Sequence, residues 1–407
     1  MKRSINNIPE GYKDSHLGII PSEWVVSPLK KLGTVFSGGT PDTKELNYWN
    51  GNILWCTPSD VTSLKTRHIK DTENKITKSG LDNSSAVLLP KGSILVCTRA
   101  TIGAAAISEN EITTNQGFKN IVPIKGVDVD WLFYYITSNK YRLLRLGCGS
   151  TFLEVAKKDF ENFKVCVPPL PEQRKIAEVL STWDRAIEKQ TLLVEKLELR
   201  KKGLMQQLLT GKKRLHGFSG KWEKEKLGKL FDERNETKMP SLPLLSITAD
   251  KGVISQTESE KKDTSNEDKS KYKRICPGDI GYNTMRMWQG RCALSKLEGI
   301  VSPAYTIVSP HNDVNPFYME MLFKQPFMVY RFWTHSQGLV NDTLNCKYPA
   351  FSQVKVTIPE IEEQNAIAEI LSFCDKEIAL AKQKLDTLRQ QKKGLMQVLL
   401  TGKKRLK

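Results

Sequence analysis

The sequence predicts an α+β chain: two globular α/β units separated by two long helices that form an antiparallel coiled coil, with pseudo-twofold symmetry. Three observations predict it. A segment beginning at Pro171 returns from Glu362, 191 positions later, and runs without a gap over Pro168–Leu215 and Pro359–Leu406. Within each copy the apolar residues step by four and three, the spacing of a helical seam. The stretches ahead of each copy mix short β-rich runs, such as Ser93–Thr98 and Pro303–Pro310, with helical runs such as Asp128–Leu146.

In chain order, the first globular unit covers 1–167, a helical spacer 168–216, the second globular unit 217–358 and a C-terminal helical spacer 359–407. Both units open alike, with Trp24, Leu29 and Leu32 recurring as Trp222, Leu227 and Leu230. Both carry a turn, a short strand and a loop of the form Arg-x-x-x-Gly, Arg99–Gly103 and Arg286–Gly290. Their middles differ. Residues 255–274 form a polar, charge-dense stretch read as a surface loop. The spacers start after Pro168 and Pro359 and stop at Gly211 and Gly402, as helix punctuation should. The seam of the first is Ile176, Leu180, Trp183, Ile187, Val194, Leu197, Leu204 and Leu208. That of the second is Ile367, Leu371, Ile378, Leu385, Leu388, Leu395 and Leu399, with Cys374 and Ala381 in the same register. Lys201 and Lys392 are polar residues within the seam, suited to fixing register. The closing blocks, Lys201–Leu215 and Lys392–Leu406, differ only at Gln207 against Val398. An identical seam in both copies is most simply explained by the helices packing on each other.

The 407 residues include 39% apolar and 26% charged, enough to bury real cores, and carry a net charge of +17. Such an excess points to a polyanionic partner, nucleic acid before a membrane surface. No window approaches the roughly 18–20 apolar residues of a bilayer helix. The first residues lack the apolar core of a secretory signal. Eight cysteines without a CxxC pair, and five histidines that do not cluster with them, lack zinc spacing and read as reduced thiols of a cytoplasmic protein.

Catalytic motifs are not found. Asn315-Pro316-Phe317-Tyr318 partly matches the Asn-Pro-Pro-aromatic loop of amino-methyltransferases, but the second proline is missing and no glycine-rich cofactor loop accompanies it. Aligning it with Val129-Asp130-Trp131 makes Asn315 a helix N-cap with Pro316 at the first helical position. Thr210-Gly211-Lys212-Lys213 ends a helix where a phosphate loop would begin one, and reads as a C-cap. The chain reads as a binder.

Along nearly its whole length the chain resembles the specificity subunit of type I restriction-modification systems. The matching blocks are Ser37–Pro41, Tyr48-Trp49, Trp55–Asp60, Arg99–Gly103, Thr114–Gly117 and Pro168–Gln173, then Met285–Gly290 and Ser302–Tyr305. Ile361–Gln364 departs from the pattern by lacking the prolines of the first copy. The resemblance implies a non-catalytic protein with two target-recognition domains, each reading half of a bipartite sequence in double-stranded DNA. The paired helices would space them and dock two methyltransferase subunits, which restriction/translocase subunits join. S-adenosylmethionine, ATP and magnesium would belong to those partners, and this chain would hold no cofactor and no metal. A non-specific DNA-binding or bridging scaffold is the alternative.

The residues expected at DNA are Lys65, Arg67, Thr98, Arg99, Thr101 and Lys119 in the first unit, and Lys271, Lys273, Arg274, Arg286 and Gln289 in the second. Basic side chains would position the chain on phosphates while polar ones read base edges. Arg99 and Arg286 have a competing role as braces across their own loops. Trp49 and Trp288 fit a core better than a groove wall. Lys212-Lys213-Arg214 and Lys403-Lys404-Arg405 suit either phosphate contact or helix capping.

Overall fold

The computed structural model describes residues 8–147, 153–248, 251–259, 267–338 and 343–406. It divides into two compact units, Met1–Leu193 with Ala381–Lys407, and Val194–Leu380. This division cuts each long helix in two, because each body packs on the start of its own helix and on the end of the other.

In the first unit a five-stranded sheet runs in the order Gly33–Ser37, Phe118–Pro123, Ile94–Cys97, Ala105–Ser108, His68–Ile69. Its pairs are antiparallel except the last, which is parallel. Ile94 and Val96 face one core, with Ile107, Ile121 and the helix residues Trp131, Leu132 and Tyr135. Leu95 and Cys97 face a second, with Cys56, Val61, Leu89 and Phe118. A strand covered on both faces has no polar alternation, which is why Ile94–Cys97 is an unbroken apolar run. The helix Val129–Ser138 is capped by Asp128, whose side chain accepts from the Trp131 N–H at 2.9 Å.

The second unit holds a four-stranded antiparallel sheet, Phe231–Glu233, Tyr305–Pro310, Ile280–Asn283, Cys292–Leu294. In its core Phe231, Tyr282, Phe323 and Phe332 gather around Phe351. Asn315 caps the helix Pro316–Phe323, accepting from the Tyr318 N–H at 2.8 Å, as the sequence predicts. Its counterpart in the first unit is Asp128, not Asp130. The backbone N–H groups of Asp128 and Asn315 donate at 2.9 Å to the buried amides of Gln173 and Gln364, 191 positions apart.

The long helices span Leu170–Leu208 and Ile361–Leu399, 39 residues each, or about 58 Å at 1.5 Å per residue. Their pairing is antiparallel. In the first unit Glu172 meets Arg405, Asp184 meets Lys392 and Gln190 meets Ala381, so one index falls as the other rises. In the second unit Lys201 meets Asp375 at 2.5 Å and Arg214 meets Glu363 at 2.6 Å. Shifted by 191, these are the first unit's pairs with the partners exchanged. No seam residue is exposed. Ile176, Leu180, Val194, Leu208, Ile367, Leu371, Ile378, Leu385 and Leu399 are buried, while Trp183, Ile187, Leu197, Leu204, Leu388 and Leu395 are half-buried. Lys201 and Lys392 do fix register, each through an aspartate on the facing helix. A buried Gln190, unforeseen from the sequence, fills the gap in the seam between Ile187 and Val194 and donates to the Ala381 carbonyl at 2.9 Å.

The ends of the seam do double duty. Ile176 and Leu180 join the first core together with Leu399 and Leu400, and Ile367 and Leu371 join the second together with Leu208 and Leu209. Glu172, 4% exposed, closes the first unit. It accepts from Trp24 Nε1 at 2.9 Å and from Arg405 Nε and Nη2 at 2.7 and 2.8 Å. In the second unit Glu363 accepts from Trp222 Nε1 at 3.1 Å and from Arg214 Nε and Nη2 at 2.7 and 2.6 Å.

Removing one partner of such a buried pair strands the other. Glu172→Ala should therefore cost about 3 kcal/mol, and a chain ending at Thr401 should lose a comparable amount, both read as a lower urea midpoint. The C-caps Gly211 and Gly402 hold φ of +69° and +71°. A Cβ would meet Trp222 at 3.5 Å from the first but Pro21 Cδ at 2.4 Å from the second. Gly211→Ala should cost about 1 kcal/mol and Gly402→Ala about 1–3 kcal/mol more, by the same measurement.

Candidate nucleic-acid interface

The loops expected to meet DNA contain two kinds of polar side chain. One kind is already engaged within the domain. Thr98 is 1% exposed, and its N–H and hydroxyl both donate to the Gly117 carbonyl, at 2.7 and 3.1 Å. Lys119 is buried, with Nζ 3.2 Å from Glu154 Oε1. Arg99 is exposed, yet its Nε and Nη2 lie 2.7 and 2.6 Å from Glu154 Oε2, the brace that was its competing role. Partial burial would raise the Glu154 carboxyl, but hydrogen bonds from Arg99 and Lys119 hold it below its usual range. Arg67 turns inward and pairs with Asp130 at 2.7 Å. Thr98, Lys119 and Arg67 are thus placed as parts of the domain's own framework.

The turn carrying Arg99 is strained. Ala100 has φ of +51°, a left-handed conformation costly for a residue with a Cβ, and Thr101 beside it is half-buried. Lys65 is exposed in the loop after the short helix Pro58–Thr62.

In the second unit Arg274 lies between two carboxylates, Glu236 at 2.7 Å and Glu298 at 2.5 Å. Lys273 Nζ is 3.5 Å from Glu233. Lys271 and Gln289 are exposed, and Arg286 is half-buried where it opens the turn Met287–Gln289. That turn ends on Gly290, φ +70°, and is tied by Trp288 Nε1 donating to the Met285 carbonyl at 3.0 Å. Trp288 therefore braces the loop. Trp49 packs edge-on against Trp55 with centroids 4.9 Å apart. A concavity of about 450 Å³ opens beside the turn, lined by Lys273, Thr284, Met285, Lys347 and Tyr348 among others. The exposed Lys347 lines this concavity and carries no signal in the sequence, while the exposed Arg291 directly follows the Arg286–Gly290 loop, and that adjacency is its only signal. Of the polar stretch 255–274, residues 260–266 lie outside the described residues. Ser255 ends the strand Gly252–Ser255, and Lys273 begins the strand Lys273–Ile275.

The helix-end clusters divide. Arg214 and Arg405 are spent on Glu363 and Glu172, while Lys212, Lys213, Lys403 and Lys404 remain exposed. Burial pushes the Cys97 thiol up to about 11 and the Cys292 thiol up to about 12, which makes them poor nucleophiles at neutral pH. Among the described residues no three His, Cys, Asp or Glu side chains gather in a way that could hold a metal ion, and no helix is long and apolar enough to cross a membrane.

Two copies of one family model, the type I restriction modification DNA specificity domain, match residues 21–197 and 220–390, each copy taking in one body and most of its helix. The chain belongs to the type I restriction-modification DNA specificity family. The MjaIX type I restriction enzyme specificity subunit of Methanocaldococcus jannaschii is 40% identical over 194 residues, 46% of this chain. That alignment covers 45% of the relative, so the chain is matched to less than half of its length. The MjaVIII specificity subunit of the same organism is 24% identical over 98% of this chain and 97% of its own. Among solved structures, the S subunit of a type I restriction-modification system from M. genitalium has the same fold, with a TM-score of 0.56, 14% identity and coverage of 92% of this chain and 96% of that one.

In a member of this specificity family, buried and exposed cations should differ in their salt dependence. Lys271→Ala should lower the slope of log affinity against log salt by about one unit. Lys119→Met should leave the slope unchanged and lower thermal stability instead. Equilibrium binding to a target duplex at several salt concentrations, with a melting curve for each variant, separates the two.

Proposed function

We propose that this chain is the non-catalytic specificity subunit of a cytoplasmic type I restriction-modification complex, reading a bipartite double-stranded DNA target with one recognition domain per half-site. The observation that carries the reading is the exchange of partners between the two helices. Each body is closed by the start of its own helix and the end of the other, so each reader is assembled from segments of both helices. Different loops on similar frames suit two modules that bind the same kind of partner and read different bases. Phosphate contacts would come from exposed lysines such as Lys65 and Lys271, and base contacts from polar groups at the Arg-x-x-x-Gly turns, Gln289 foremost.

The helices carry more apolar surface than their own pairing uses. Leu192 and Leu193 are 50% and 46% exposed in the first unit, and Leu199, Phe373 and Leu380 are 69%, 61% and 66% exposed in the second. Covered by two methyltransferase subunits, these side chains would bury apolar area of the kind that drives stable association. S-adenosylmethionine would then sit on those subunits, and ATP and magnesium on the restriction/translocase subunits that join them.

Co-expression with the methyltransferase subunit, followed by genome-wide mapping of modified adenines, tests the reading. The expected map is a single bipartite motif with a fixed unread spacer. Exchanging residues 1–167 for those of another family member should change one half-site and leave the other. A map without a motif would instead favour a bridging protein that does not read sequence.

A further inference from the structure

Arg67 ends an exposed loop, yet only 15% of its side chain is accessible. Its Nε lies 2.7 Å from Asp130 Oδ1, on the Asp128-capped helix. Its Nη2 donates to Ser181 Oγ at 3.1 Å and its Nη1 lies 3.5 Å from Asp184 Oδ2, both on the first long helix. The Tyr134 hydroxyl also donates to Asp184, and Lys392 of the second long helix pairs with it. The Arg67 and Lys392 cations lie 5.6 and 4.9 Å from the centre of the Tyr134 ring. The Arg67 backbone belongs to the recognition sheet: its carbonyl accepts from the Ile107 N–H at 2.8 Å, and the edge strand His68–Ile69 follows at once. One rigid, planar cation thus ties the sheet and the domain helix to the first long helix, and shares Asp184 with Lys392 of the second, a fork that a lysine does not reproduce.

The position of this knot matters. The first unit already grips its long helix at Glu172 and Gln173. Asp184 lies about 18 Å further along the same helix, at 1.5 Å per residue. One grip is a pivot; two grips that far apart set an angle. Between them the helix meets the apolar core through Ile176, Ala177, Val179 and Leu180, whose contacts have no preferred direction. The second unit is built differently here. Asp375 takes Lys201, and the neighbouring Lys324 is held 2.7 Å from Glu320 on its own helix.

We infer that Arg67 is a positioning residue, which sets the angle of the first recognition domain on the paired helices and so the spacer length at which its half-site is accepted. The inference rests on the bipartite reading above. Arg67→Met keeps the length of the side chain and removes the fork. In the adenine map of the co-expressed complex, this variant should keep both half-sites but also modify targets with a spacer about one base pair longer or shorter, discrimination falling roughly tenfold. Arg67→Lys should behave nearly as the methionine variant, and Tyr134→Phe, which alters no charge and keeps the buried ring, should show the same shift at smaller size. A change in the bases accepted at the first half-site would make Arg67 a DNA contact and overturn the inference. So would unaltered spacer discrimination in the Arg67→Met and Tyr134→Phe maps. Failure of the bipartite reading shows elsewhere, as a wild-type map without a two-part motif.

Discussion

A buried carboxylate that cannot be left alone organises each unit. Glu172 and Glu363 sit at 4% and 2% exposure on the first turns of the long helices, where an unpaired charge costs several kcal/mol. Each is neutralised by an arginine from just past the end of the other helix and by the indole N–H of the tryptophan that opens the body. Body, helix start and helix end must therefore come together at once. Apolar burial around Ile176 or Ile367 supplies most of the driving force, but it does not choose a register; the ion pairs do. The aspartate–lysine pairs at Asp184 and Asp375 repeat the choice within the paired region.

The frame of the molecule was legible from sequence because it is written in local spacing. Helix bounds, the seam, the glycine stops and the opening Trp–Leu–Leu pattern all depend on residues close in the chain, and duplication displayed each of them twice. The lysines in the seam stand out in the sequence as register devices, whereas their aspartate partners lie on the facing helix and carry no such signal. Duplication also misleads at one point: pairing Asp130 with Asn315 slips by two positions, whereas the strands Phe118–Pro123 and Tyr305–Pro310, followed by loops of equal length, bring Asp128 opposite Asn315.

The site was much less legible. Whether a cation is available to DNA depends on acids distant in sequence. Glu154 is 55 residues from Arg99 and 35 from Lys119, and Asp184 contacts Lys392 across 208 residues. Arg67, Lys119 and Thr98 have the composition of a binding loop and the environment of a core. A net charge of +17 does not discriminate between such groups, since it counts the neutralised and the available alike. Of the exposed side chains, Lys65 and Lys271 lie in segments where the two units share no pattern, and Gln289 stands at a position of the shared Arg-x-x-x-Gly turn where the first unit has Ile102, as expected if each reads its own bases.

The fold also bears on how the protein is made. The first body leaves the ribosome early, but its core includes Leu399 and Leu400, its buried carboxylate awaits Arg405, and the Tyr12 hydroxyl donates to the Gly402 carbonyl at 3.0 Å. At typical elongation rates, roughly 10–40 s separate the synthesis of Leu215 from that of Leu406. Throughout that interval the first body lacks the apolar cover of Leu399 and Leu400 and the cation that compensates Glu172, so the hazard of aggregation falls on it until Arg405 has been made.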